Sequence, residues 1–303
     1  MTVKKNHIKI LFIVNLHSEE KKRSQLLQSI KKVIDAGKFL VEVAYTQYAG
    51  HAVKLSRQAV EDRVDIIVAA GGDGTINEVA GQMIDKEAVM GIIPMGSGNG
   101  LARHLGIPRH IEKAVRLINQ YDYTRIDTCT INNAPFVSIA GVGFDALVAK
   151  HFARGERRGF MGYFTVVANH YLKYKPKKYH IEFANGQKLK TRALFIAFAN
   201  SNQFGYNATI APNARLTDGL LDVCVVKKPL LVSIPIIANL LLLRRIHLAN
   251  NVNIIQTPYL SVTQSHNRVV NIDGEPVRMA KKLDVKIKPL SLRVIINKED
   301  AKI

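Results

Sequence analysis

Three short stretches combine glycine with carboxylates in patterns suited to phosphate chemistry. The first is Val68-Ala69-Ala70-Gly71-Gly72-Asp73-Gly74-Thr75-Ile76-Asn77-Glu78, an apolar run that passes into two glycines, an aspartate, a third glycine and a helical pattern. Glycines let a backbone approach a phosphate, and the amides and dipole of a helix start attract its charge. Asp73 is placed to hold Mg2+ or a hydroxyl proton, although a plain glycine turn with Asp73 capping the helix fits the same residues. The second stretch, Met95-Gly96-Ser97-Gly98-Asn99-Gly100-Leu101-Ala102, repeats the strand, glycine loop and helix pattern after Gly91–Pro94. Two such loops at the carboxyl ends of parallel strands form the lips of a phosphate site. Neither is a P-loop, because no Gly-Lys-Ser/Thr follows. The third, Asn271-Ile272-Asp273-Gly274-Glu275-Pro276, sets two carboxylates two residues apart around a bend, a pattern that ordinary Asp-Gly hairpins share.

The elements that must position these stretches follow from periodicity. Up to about Asp127 the chain alternates: apolar run Ile10–Val14, helix Lys21–Ala36, strand Leu40–Tyr45, helix His51–Arg63, strand Asp65–Ala70, helix Ile76–Ile84, strand Val89–Ile93 and helix Ile111–Gln120. Such alternation marks βα units on a parallel sheet. Beyond Thr124–Thr130 come short β-like runs: Phe136–Ala140, Tyr179–Phe183, Arg192–Ala199, Leu221–Val226, Asn253–Gln256, Tyr259–Val262, Val269–Ile272, Leu283–Ile287 and Leu292–Ile296. They predict a sandwich or barrel. The expectation is an α/β nucleotide-binding domain with a parallel sheet over 1–128, then an all-β sandwich-like domain over 129–303. A return of the last residues to the first domain is left open.

Composition bounds the function. With 303 residues, 47% hydrophobic and 22% charged, the chain is long enough for two folded domains. The net charge of +19 favours polyanionic partners. The basic residues are dispersed and the aromatics do not interleave with them, which argues against nucleic acid. Cys129 and Cys224 make neither a disulfide framework nor a thiolate metal site, so a reducing, cytoplasmic setting is expected. His51, His104, His151 and His170 lack metal-ligand spacing. Leu230–Leu243 is the most lipophilic stretch, but its 14 residues contain Pro235 and Asn239 and are too short to span a bilayer. It reads either as a helix packed on the sandwich or as a membrane-docking helix with Arg244 and Arg245 beside it.

Taken in order, these motifs resemble the diacylglycerol kinase catalytic-domain superfamily, which includes bacterial soluble lipid kinases, sphingosine kinases and ceramide kinases. The resemblance rests on Asn15, Tyr45-Thr46, Gly50-His51-Ala52, Gly71–Thr75 with Asn77-Glu78-Val79, and Pro94–Asn99 with Leu101-Ala102. It continues through Ile126-Asp127, Gly141–Ala146, Pro212-Asn213-Ala214, Asp218–Asp222 and Val270–Pro276, and so covers most of the chain.

The resemblance implies a fold like that of NAD kinases and diacylglycerol kinases, with ATP and Mg2+ as cofactors. By position, Asn15, Thr46, Gly72, Gly74, Thr75, Gly96, Ser97 and Asn99 line the nucleotide. Arg157, flanked by Arg154 and Arg158, reaches the phosphates, a task that suits a planar guanidinium but equally fits a solvated loop. Asp73 engages the metal or phosphate network with Asp127 in support, and Asp218 is the side-chain ligand of a structural metal loop, although Asp218-Gly219 is equally an ordinary turn pair. Asp273 and Glu275 serve the acceptor hydroxyl, with Glu275 taken as the base in preference to Asp73. The implied activity is transfer of the ATP γ-phosphoryl group to a diacylglycerol-like or sphingoid lipid at an anionic membrane surface, by a cytoplasmic protein in peripheral contact with the membrane. A homodimer is left open. NAD kinase and a catalytically silent lipid-binding module are the alternatives. The chain departs from the family pattern in Leu16–Lys22, which lacks the usual Pro and Gly, and at Gly100, where many bacterial relatives carry Asp.

Overall fold

The computed structural model describes residues 7–154, 160–205, 208–264 and 268–299. The chain divides into two compact units, one running to Ile126 and resuming at Leu290, the other spanning Asp127–Pro289.

The first unit contains β1 (Ile8–Asn15), α1 (Glu20–Val33), β2 (Phe39–Thr46), α2 (His51–Glu61), β3 (Ile66–Gly71), α3 (Asp73–Met83), β4 (Val89–Pro94), α4 (Gly100–His104) and α5 (Ile111–Gln120). Its strands run parallel in the order β2-β1-β3-β4. Every residue of β3 and β4 is buried, as expected of apolar parallel strands covered on both faces. Helix α5 turns Ile111, Ala114, Val115 and Ile118 inward at helical spacing. Helix α1 stops three residues before the expected Ala36. The Asp35 carboxylate accepts the Gly37 amide at 2.8 Å, and this local turn competes with a further helical turn. Helix α3 starts at Asp73 rather than Ile76, which puts the whole Asp-Gly-Thr sequence on its first turn.

Strand β5 (Tyr123–Ile131) leads into the second unit, which holds β6 (Ala134–Phe136), β7 (Ile139–Gly143), α6 (Phe144–Arg154), α7 (Phe160–Tyr171), β8 (Lys177–Phe183), β9 (Lys188–Ala193), β10 (Phe195–Ala199), β11 (Leu221–Val226), α8 (Ile234–Leu242), β12 (Val252–Thr257), β13 (Tyr259–Gln264), β14 (Val269–Ile272) and β15 (Glu275–Arg278). The last strand, β16 (Lys282–Ile295), belongs to both units: Lys282–Lys286 pair with β13, and Val294 pairs with Met90 of β4. One antiparallel sheet of this unit runs β12-β11-β10-β7-β14-β15. Residues from it share a core with residues from β8, β13 and β16, among them Phe198, Val223, Tyr179 and Val262, so the unit is a sandwich.

Three expectations are corrected here. The run Phe136–Ala140 is split between β6 and β7, because the amides of Val137, Ser138 and Ile139 turn to the Asp273 carboxylate instead of a neighbouring strand. The run Arg192–Ala199 breaks at Leu194, whose amide and carbonyl bond Val226 and Phe144. Helices α6 and α7 interrupt what the sequence suggested was continuously β-rich.

Candidate active site

The two glycine loops of the first unit are locked against each other. The Gly71 carbonyl accepts the amides of Met95 at 2.9 Å and Gly96 at 3.2 Å. A Cβ on Gly96 would stand 2.6 Å from the Gly72 Cα, and one on Gly71 would stand 2.6 Å from the Thr75 hydroxyl oxygen, so a side chain at either position forces its neighbour to move. Asp73 completes the lock: one carboxylate oxygen accepts the Asn99 amide and the other the Gly100 amide, each at 2.8 Å. Burial raises the Asp73 pKa from its ordinary value, against the opposing pull of those amides. Asn99 adopts a left-handed backbone (φ 55°) and donates its side-chain amide to the Gly96 carbonyl at 2.6 Å. Its Oδ1 is buried without a hydrogen-bond partner, an unmet acceptor beside the loop.

Around this lock the sheet register assembles the polar residues of the neighbouring strand ends. Asn15 and Thr46 are paired Cα partners at the carboxyl ends of β1 and β2. The Asn15 amide donates to the Thr75 hydroxyl at 2.9 Å, and the Thr46 hydroxyl accepts the Leu16 amide at 3.4 Å. The fold thus brings Asn15, Thr46, Gly72, Thr75, Gly96 and Asn99 together, with Gly74 on the first turn of α3 and Ser97 exposed.

Three further residues shape this site and went unassigned in the sequence. Lys22 places its ammonium 3.2 Å from the Met95 carbonyl and 2.7 Å from Glu19, so the loop that lacks Pro and Gly still sets a cation against the second glycine loop. The Arg23 guanidinium closes that loop through the carbonyls of Leu16 and Ser18. Glu78 accepts the amide of Gly50, whose φ of 84° starts α2 just after Thr46. Lysine beside glutamate at a helix start reads as an ordinary surface pair, and nothing in the spacing points Lys22 at residue 95.

In the second unit the Asp273-Gly274 pair makes a tight turn with φ of 46° and 95° between β14 and β15. Asp273 is buried and accepts amides from Val137 at 2.9 Å, Ser138 at 3.0 Å and Ile139 at 2.8 Å. Glu275, two residues on, is exposed and pairs with Ile272 across the hairpin. The turn is tied down by Asn271, whose Oδ1 accepts the Gly274 amide at 3.0 Å while its Nδ2 donates to Asp145 at 2.8 Å. Burial pushes Asp145 up to about 6. Gly141 makes room for that carboxylate, since a Cβ there would stand 2.4 Å from it.

Asp127 is fully buried and accepts the Gly219 amide at 2.8 Å, which anchors the loop carrying Asp218. Asp218 itself accepts the Leu220 amide. Burial and then the Asp218 charge raise Asp222 to about 6. Among the described residues no group of three His, Cys, Asp or Glu side chains lies close enough to hold a metal ion. Asp73 is the only carboxylate of the two glycine loops. That donor set suits a Mg2+ carried in on nucleotide phosphates, which keeps water and phosphate oxygens as most of its ligands. Arg157 and Arg158 lie outside the described residues.

Residues 9–131 match the family described as the diacylglycerol kinase catalytic domain, and residues 138–296 match the YegS C-terminal NAD kinase beta sandwich-like domain. A diacylglycerol kinase of Bacillus subtilis is 30% identical over 264 residues, covering 84% of each chain. A probable lipid kinase YegS-like protein of Chromohalobacter salexigens is 27% identical, over 86% of this chain and 85% of its own. Among solved structures, a putative diacylglycerol kinase from Bacillus anthracis str. Sterne superposes with a TM-score of 0.79 at 21% identity, covering 98% of this chain and 99% of that one. An NAD kinase from Archaeoglobus fulgidus in complex with ATP shares the fold with a TM-score of 0.53 at 12% identity, over 97% and 96% of the two chains.

Proposed function

The chain belongs to the lipid-kinase family that joins a diacylglycerol kinase catalytic domain to a YegS-type C-terminal domain, and from that membership we propose that it moves the γ-phosphoryl group of ATP to a hydroxyl of a diacylglycerol-like or sphingoid lipid. The observation that carries this reading is the pair of glycine loops fixed to each other by the Asp73 carboxylate. Phosphoryl transfer asks a protein mainly for positioning and charge stabilisation. Backbone amides at bare glycines and the first turn of α3 meet phosphate oxygens, and the Lys22 ammonium adds positive charge. Asn15, Thr46, Thr75 and Asn99 supply polar contacts at the strand ends. Mg2+, when bound through Asp73 and the phosphates, neutralises charge on the transferring group.

On the acceptor side, Glu275 takes the hydroxyl proton while the new O–P bond forms and the bond to the β-phosphate oxygen breaks, releasing ADP. Asp273, Asn271 and Asp145 position the turn that presents Glu275. The acceptor is met at an anionic membrane surface from the cytoplasmic side. No helix among the described residues is long and apolar enough to cross a membrane, in keeping with a peripheral encounter.

The test offers the purified chain labelled ATP and Mg2+ with mixed micelles containing diacylglycerol or sphingosine, and with NAD in parallel. Label in lipid supports the proposal. Label in NADP would assign the chain to NAD phosphorylation, and label in neither would make it a binding module.

A further inference from the structure

The second unit leaves one apolar element half uncovered. Helix α8 and the turns around it hold to the sandwich through Ile237, Leu240 and Leu241, with Ile246 and Ala249 buried just beyond. The opposite side is bare: Leu230, Leu231, Val232, Ile236, Leu242 and Leu243 are each at least 57% exposed, and no residue of α8 is buried. A helix on a water-facing surface turns polar side chains outward, whereas this one offers only Asn239 among its apolar residues. Leu172, 65% exposed, extends the patch. The Tyr171 hydroxyl donates to the Pro229 carbonyl at 2.8 Å, and the Lys228 ammonium donates to the Leu172 carbonyl at 3.2 Å.

The stretches that carry this patch hold charge of one sign. No Asp or Glu occurs between Asp222 and Asp273, nor between Glu156 and Glu182. Those two acid-free stretches carry Lys227, Arg244 and Arg245 at the ends of the apolar segment and Lys173 and Lys175 beside Leu172, all exposed. We infer that Pro229–Leu248, with Leu172, is a docking surface that lays its bare aliphatic side into an anionic bilayer while the flanking cations meet lipid phosphates. Long basic side chains reach headgroups while their stems lie along apolar surface. A second copy of the chain is disfavoured at the same face, because each molecule carries a net +19 and the stretches forming the patch bring no carboxylate to pair the arginines. The inference deepens the membrane part of the proposed function and rests on it for its purpose, while the docking itself is measurable without catalysis.

The chain contains no Trp, so Val232→Trp creates a single reporter, and Leu40→Trp, 53% exposed in the first unit, is its control. Vesicles of phosphatidylcholine mixed with phosphatidylglycerol should shift the Val232→Trp emission to the blue, leave Leu40→Trp unchanged, and have less effect when salt is raised. The double variant Leu231→Glu/Leu242→Glu should lower vesicle flotation at least about tenfold, because charge now faces the acyl boundary. It should still phosphorylate a short-chain acceptor dispersed in detergent. Unchanged emission of Val232→Trp, or wild-type flotation of the double variant, would overturn the docking surface. A lower oligomeric state in the double variant, with flotation unaltered, would also overturn it and assign the face to a second copy. A chain that docks but phosphorylates no lipid would leave the docking surface standing and remove the kinase proposal.

Discussion

Two of the chain's three Asp-Gly pairs, Asp73-Gly74 and Asp273-Gly274, place their carboxylates differently in the structure. Asp73-Gly74 opens a helix, and Asp73 takes one amide on each oxygen from a loop one βα unit away. Asp273-Gly274 is a hairpin turn, and Asp273 takes three consecutive amides from the connection between β6 and β7. The first carboxylate joins the two glycine loops, which the proposed function gives to the nucleotide. The second is committed to the scaffold, and it holds the turn two residues before the exposed Glu275 to which the proposal gives the base role. Identical dipeptides thus enter different scaffolds, one tying two loops and one tying a strand connection, and on the proposed function the first lies at the chemistry while the second positions it.

Substitutions that break the two pairs should separate these roles. The largest effect is expected on stability, from Asp273→Asn. Ser138 and Ile139 donate to one oxygen and Val137 to the other, so the remaining oxygen keeps one set while the new NH2 opposes the other, a loss of about 4 kcal/mol at 1–3 kcal/mol for each buried donor left unmet. Denaturant unfolding measures it; wild-type stability with abolished turnover would move Asp273 to the chemistry and erase the contrast. Next is Asp73→Asn, which should lower turnover at least about 100-fold, or about 2.7 kcal/mol, with the fold retained. Near-normal activity would remove Asp73 from the site.

A smaller effect concerns pH. Asp145 sits at about 6 in the fold, above an unfolded aspartate near 3.9, so the native state holds a proton that the unfolded chain has released. The stability this contributes is complete below about pH 4 and is lost as pH rises through about 6, on the order of 2 kcal/mol. Asp145→Asn, whose Oδ1 can still accept from Asn271, should flatten that part of the stability curve. Unfolding at pH 5 and pH 8 checks it, and an unchanged difference between the two would contradict the burial of this charge. The smallest effect is Gly96→Ala. Its Cβ would meet the Gly72 Cα at 2.6 Å, so the loops must part, with about tenfold weaker ATP binding by titration and an unchanged KM for lipid.

Much of the first unit was legible in the sequence because parallel strands buried on both faces are continuous apolar runs, and β3 and β4 begin and end within a residue or so of the run. The glycine loops were legible too, since strand, glycine and helix succeed one another locally. What the sequence concealed is set by distant partners. The break between β6 and β7 depends on a carboxylate more than a hundred residues away, and Lys22 reaches its site only because α1 starts where the second glycine loop passes. Helix α6 was readable, with Phe144, Leu147, Val148 and Phe152 at helical spacing, but short β-like runs on either side dominated the reading. The segment Leu230–Leu243 was read two ways, as core helix and as docking helix; Ile237, Leu240 and Leu241 pack on the sandwich as the first reading expects, and the exposed side is what the docking proposal rests on.

The central claim is that nucleotide and acceptor chemistry are served by different residues, the locked glycine loops and Glu275. It is tested most directly by Glu275→Gln, with ATP affinity and lipid phosphorylation measured on one preparation. Glutamine keeps the size and hydrogen bonding but does not take the hydroxyl proton, so turnover should fall at least about 100-fold while ATP affinity stays within a few-fold of wild type. A parallel loss of ATP binding, or unchanged turnover, would contradict the account.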